Sequence, residues 1–185
     1  MSELRPFRQY DEHDVINLFT MSTTTVDAGR MVKINTGWKA DDDQVDLGSA
    51  VGNTYGNVLS TTWSLDAKVE TVSVGDDPLG MTLVAMKETD ENGEKLVFNP
   101  RKAAEMGVVV PGQSVPLLTR GLVIAKSTDS DWTGTAFAAG AIIYAAASGE
   151  LSPNHNSNAN KAVGIALGAK DANNFALVKL DLLGR

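Results

Sequence analysis

The sequence has no cysteine and only two histidines, His13 and His155. The first absence excludes disulfides, thiol catalysis and cysteine-ligated zinc or iron–sulfur centres. Positive charge is also scarce: 16 Lys and Arg stand against 23 Asp and Glu, for a net charge of −7. The cations form no run that could replace counterions along a phosphate backbone, so no nucleic-acid partner is expected. No apolar stretch approaches the roughly 18 residues of a membrane helix, and no membrane partner is expected. The N-terminus lacks a basic start followed by an apolar stretch, so no signal peptide is read there.

Catalytic signatures are missing too. There is no G-x-S-x-G elbow, no phosphate-binding G-x-x-x-x-G-K-[ST] loop and no G-x-G-x-x-G turn. His13 lies within Asp11-Glu12-His13-Asp14, but adjacent residues do not readily converge on one ion. Asp41-Asp42-Asp43 lacks the alternating oxygens, central Gly and final Glu of an EF-hand, and Asp129 to Gly134 holds only a fragment of such a loop. Both read as solvated polar loops, and His155 reads as a loop histidine. Trp38, Trp63 and Trp132 read as core or interface anchors rather than sugar platforms. The expectation is a non-enzymatic protein with no catalytic residues, no metal and no cofactor.

What is present is a β grammar. Hydrophobic residues make up 43% of 185, enough to build a core without covalent staples. Gly occurs 17 times and punctuates the chain from Val26 onward. Strands are expected at Arg30–Asn35, Asn57–Leu65, Lys68–Val74, Met81–Met86, Lys95–Phe98, Ser114–Leu118, Gly121–Ala125, Ala141–Ala145, Lys161–Gly168 and Asn174–Leu182. The last alternates Ala176, Val178, Leu180 and Leu182 on one face with Phe175, Leu177, Lys179 and Asp181 on the other. Asn99 followed by Pro100 starts one short helix, about 99–106, which Gly107 ends. The fold class expected is mainly β, a β-sandwich or small β-barrel lobes with that one helix and an extended N-terminal arm.

Residues 1–25 stand apart. Their large apolar residues fit neither the strand nor the helix template, and Asp14–Met21 supports a turn or two of helix at best. Extended, residues 1–19 reach about 60 Å, well beyond a body whose radius of gyration is about 16 Å. Exposed aromatics are costly in water, so the arm is docked, either on its own core or on another subunit. Arg5, Phe7, Arg8, Tyr10, Ile16 and Phe19 are the candidate partner-binding residues, because Arg and aromatics are enriched at interfaces. Deleting residues 1–20 is expected to remove partner binding and leave the body folded. That body is residues 26–185, either one unit or two lobes of about 26–98 and 99–185.

An internal echo runs through the body. Ala28-Gly29 followed by Val32 recurs as Ala139-Gly140 followed by Ile143, and Leu79-Gly80-Met81-Thr82-Leu83 recurs as Val163-Gly164-Ile165-Ala166-Leu167. The spacing between the two parts is longer in the first copy, with the extra length in residues 37–65. Either a duplication or ordinary strand grammar accounts for it.

Several segments carry a family resemblance. Pro78-Leu79-Gly80-Met81-Thr82-Leu83 leads into Asp90-Glu91-Asn92-Gly93-Glu94, Asn99 to Glu105 and Pro111 to Gly121. Gly140 to Tyr144, Gly149 to Pro153, Ala162 to Ala166 and Ala176 to Leu180 follow, and Tyr10 to Phe19 opens the chain. Together they resemble tailed-bacteriophage capsid decoration (cement, or head-stabilisation) proteins over about residues 5–22 and 75–182. The resemblance implies a structural virion protein on the outer surface of an icosahedral capsid, made in the host cytoplasm. Its partners would be the major capsid protein and neighbouring copies of itself, as a homotrimer. Its task would be to cement neighbouring capsomers against internal DNA pressure. A tail or fibre subunit, or a carbohydrate- or receptor-binding β module, is the alternative.

Overall fold

The computed structural model describes residues 3–6, 10–11, 13–36, 67–134, 136–156 and 159–182. The expected strand at Asn57–Leu65 lies outside them, as do Trp38, Trp63 and Asp41–Asp43. Twelve strands form two six-stranded sheets among the described residues. The inner sheet contains β2 (Val15–Ile16), β3 (Thr20–Met21), β4 (Met31–Ile34), β5 (Lys68–Thr71), β6 (Gly80–Thr82) and β7 (Leu117–Leu118), in the order β2-β7-β6-β4-β5-β3. The outer sheet contains β1 (Glu3–Pro6), β8 (Arg120–Lys126), β9 (Ile142–Ala145), β10 (Leu151–Ser152), β11 (Lys161–Ala166) and β12 (Ala176–Asp181), in the order β1-β8-β12-β11-β9-β10. The fold is mainly β, as expected.

The sequence echo is a structural repeat. Setting aside β1 and β3, the inner order β2-β7-β6-β4-β5 matches the outer order β8-β12-β11-β9-β10, and both sets follow the same order along the chain. Registers match as well. Met31 faces Met81 and Val32 faces Gly80, just as Ile142 faces Ile165 and Ile143 faces Gly164. Leu118 stands between Met81 and Val15, as Lys179 stands between Ile165 and Leu122. The Gly29 N–H donates to the Thr82 carbonyl at 2.7 Å and the Gly140 N–H to the Ala166 carbonyl at 2.8 Å. Both glycines take the left-handed region, at φ 84° and 88°, where a Cβ is strained. A Cβ added to Gly80 would sit 3.2 Å from the Leu118 oxygen, and one added to Gly164 would sit 2.2 Å from the matching Lys179 oxygen. Residues 15–118 and 120–181 are therefore two versions of one five-stranded unit. The first carries long insertions, 35–67 between β4 and β5 and 83–116 between β6 and β7.

Packing explains the hydrophobic pattern. One face of the inner sheet, with Met31, Met81 and Leu118, joins Val123, Ile143, Val178 and Leu180 of the outer sheet in the largest core cluster. Its other face, with Met21, Val32, Val69 and Leu117, is covered by Phe19, Val26, Met86 and Val115. A sheet buried on both faces needs apolar residues at consecutive positions. That is why β6 and β7 read Gly-Met-Thr and Leu-Leu with every residue buried. The outer sheet is buried on one face only, and β12 alternates accordingly.

Local differences have local causes. Lys95–Phe98 is not a strand: Thr89 and Lys95 make a single bridge, and Leu96–Phe98 then turns as a 3-10 helix leading to Asn99. The expected helix is α1 (Pro100–Glu105), with the Asn99 side chain accepting from the Lys102 N–H. A second short helix, α2 (Ser130–Gly134), replaces the polar loop expected there. Asp129 caps it, its Oδ1 accepting the N–H groups of Asp131 at 3.0 Å and Trp132 at 3.2 Å. Asp14–Met21 supplies the short strands β2 and β3 rather than helix, because its residues pair with β7 and β5. Phe175 keeps the side of the sheet expected for it but is buried there, under the Lys126 ammonium 5.4 Å from its ring centre.

Candidate functional site

The six residues expected to bind a partner do not share one environment. Phe7 and Arg8 lie outside the described residues. Arg5 stands in β1, opposite Ile124. Tyr10 is half-buried and its hydroxyl donates to the Leu122 carbonyl at 2.9 Å. Its ring lies where a Cβ on Gly121 would be, 2.9 Å away, so glycine is what admits it. Ile16 packs on the second core cluster and Phe19 is a buried member of it. Tyr10, Ile16 and Phe19 thus fasten the N-terminal segment to the chain's own body.

This changes what a deletion would do. Removing residues 1–20 takes away β1, β2, a buried Phe and the buried Thr20. Loss of one buried Phe costs about 3–5 kcal/mol. The truncated chain is expected to melt about 10 °C or more below the full chain. Calorimetry of the two checks this.

The polar groups form structural nodes. Glu150 accepts from the Ser127 hydroxyl at 2.7 Å, the Thr128 N–H at 3.1 Å and the Thr128 hydroxyl, and pairs with Arg30. Asp90 accepts the N–H groups of Asn92 at 2.8 Å and Glu94 at 2.9 Å and pairs with Lys102. The Lys102 ammonium, followed by these backbone bonds, holds the Asp90 carboxyl below its ordinary value. His13 is exposed, and the His155 ring lies edge-on to Tyr144 at 6.1 Å. Among the described residues no three His, Asp or Glu side chains are placed to hold a metal ion. No described helix is long and apolar enough to cross a membrane. Trp132 is fully buried, which removes it as a sugar platform.

What sequence reasoning missed is the outer face of the outer sheet. Ile142 and Ile165 are register partners and are 48% and 45% exposed; Leu167, joined through its N–H to the Leu177 carbonyl, is 46% exposed. Among the described residues, three of the six large exposed apolar side chains gather here. The signal was legible in part, in the alternation of residues 174–182, but the partners across the sheet were not.

A family model described as phage cement protein matches residues 84–180. The match covers more than half of the chain. The chain belongs to the phage cement protein family. No curated protein and no solved structure matches it. The matched stretch holds the second five-stranded unit up to Leu180 of β12, with β7 and residues 84–116 of the insertion before it in the first. Membership makes this chain a structural component of a phage capsid, associated with capsid proteins and stabilising the shell.

Proposed function

We propose that this cement protein binds the outer surface of an icosahedral phage head and bridges neighbouring capsomers, holding the expanded shell against the pressure of packaged DNA. The family match over residues 84–180 carries the reading. The net charge of −7 is in keeping with it, since a surface facing away from DNA needs no excess of cations. Cementing follows from linkage. A protein that binds the assembled lattice better than loose subunits stabilises the lattice by mass action. Grouping copies as a homotrimer adds avidity, because one lost contact leaves the others engaged. In this reading Arg5, Phe7 and Arg8 add contacts from the N-terminal segment, while the two repeat units, residues 15–118 and 120–181, act as the body.

Co-sedimentation of the purified protein with undecorated, expanded heads tests the proposal, with light scattering of the free protein alongside. Saturable binding at a fixed copy number per capsomer is expected, and decorated heads should withstand heating that opens bare ones. Absence of binding overturns the reading. Self-assembly into long particles would then point to a tail or fibre subunit.

A further inference from the structure

The repeat makes the outer sheet face informative. Ile142, Ile165, Lys179 and Leu122 occupy the positions that Met31, Met81, Leu118 and Val15 hold in the first unit. In the first unit that face is closed: Met31, Met81 and Leu118 are wholly buried, with the second unit packed over them. In the second unit the same face is bare, with nothing in the chain's described residues lying over Ile142 and Ile165. The stack of two units is capped at one end by Phe19, Val26 and Met86 and left open at the other. Stacked repeats whose end faces are apolar require a cap or a partner there.

Charge indicates what that partner is like. In β8 and β12 the open face presents Arg120, Lys126 and Lys179 against Asp181, and β1 adds the positions of Arg5 and Glu3, in register with Ile124 and Lys126, so cations outnumber carboxylates four to two in a chain that is acidic overall. Among the described residues no carboxylate forms an ion pair with Arg120, Lys126 or Lys179. A second copy docked face to face would bring like charges together, which is costly at an interface. An apolar surface bearing Asp and Glu would meet both the Ile-Leu cluster and the cations beside it.

We infer that the outer face of this sheet, centred on Ile142, Ile165, Leu167 and Leu177 and carrying the cations Arg120, Lys126 and Lys179, docks the chain onto an apolar, carboxylate-bearing surface of the head's shell protein. The inference rests on the head-binding reading above and names the surface that does the binding.

Two full-length double variants test it on expanded heads: Ile142→Asp with Ile165→Asp, and Arg120→Glu with Lys179→Glu. Wild type should bind and each variant should bind about tenfold or more weakly. Added salt should weaken wild type more than the charge-reversed variant. Should the aspartates disturb folding, the charge reversal decides, since Arg120 and Lys179 are exposed and its melting should match wild type. If wild type binds and the folded variants bind equally well, the face is wrongly assigned and head binding stands. If wild type does not bind, both readings fall. If the variants break up an oligomer of the free protein, the face is a contact between copies and the inference is overturned.

Discussion

Replacing Trp132 by Ala is expected to remove about 3–5 kcal/mol of stability, the largest effect of any single apolar truncation here. Among the described residues Trp132 is the bulkiest wholly buried side chain, and it belongs to the core cluster shared by the two sheets. Its indole N–H donates to the Asn174 carbonyl at 2.9 Å, and its ring meets Phe137 edge-on at 5.0 Å between centres. Truncation therefore empties a large volume, orphans a carbonyl and strips an aromatic partner. For a chain of this length the melting temperature should fall by roughly 10 °C. Trp132→Phe should recover part of the loss, keeping ring packing but not the hydrogen bond. Calorimetry on the three proteins checks this. A fall of less than about 1 kcal/mol for the alanine variant would mean that α2 is not seated on the core as described.

The strands around that core were legible because their alternation is local. Ala176, Val178 and Leu180 read as one buried face of a strand, and they are. The repeat was legible at its glycines, because a left-handed turn at Gly29 and Gly140 and a blocked Cβ at Gly80 and Gly164 admit few other residues. What composition could not reveal was which sheet is covered on both faces. Met31 and Ile142 occupy equivalent positions and are similar in hydrophobicity, yet one is buried and the other half exposed. The difference is set by what packs on top, and that is a long-range fact. The same holds for the N-terminal segment. Tyr10, Ile16 and Phe19 look equally ready for any apolar surface, and only the vacancy at Gly121 and the groove beside Val115 and Leu117 select the chain's own. Helix α2 was missed for a different reason. In the sequence Asp129 opens what reads as a solvated polar loop, whereas an Asp three residues before a buried Trp serves as a helix cap.

Glu150→Gln should cost about 3 kcal/mol at neutral pH, and the cost should fade in acid. Glu150 follows the 3-10 turn Ala147–Gly149 and accepts from Ser127 and Thr128 at the end of β8, while Arg30, just before β4, pairs with it. One carboxylate thus joins the two repeat units at a place where both side chains are mostly shielded, 9% and 16% exposed. The amide keeps one acceptor oxygen but turns an NH2 toward groups that already donate, and it leaves Arg30 without its full counter-charge. Burial alone would raise the Glu150 pKa. The bonds from the Thr128 and Ser127 hydroxyls and the Thr128 N–H, with the Arg30 charge, outweigh it and hold the carboxyl below its ordinary value of 4.5. The folded state therefore binds fewer protons than the unfolded chain near that pH. The stabilisation is complete above the ordinary carboxylate range and is lost as pH falls through the lower folded value. Urea unfolding of both proteins should show a constant gap from about pH 7 down to about pH 5 and a narrowing gap below it. A gap that stays constant into strong acid would show that the ionised carboxylate is not what ties the units together. Its effect would then come from shape alone.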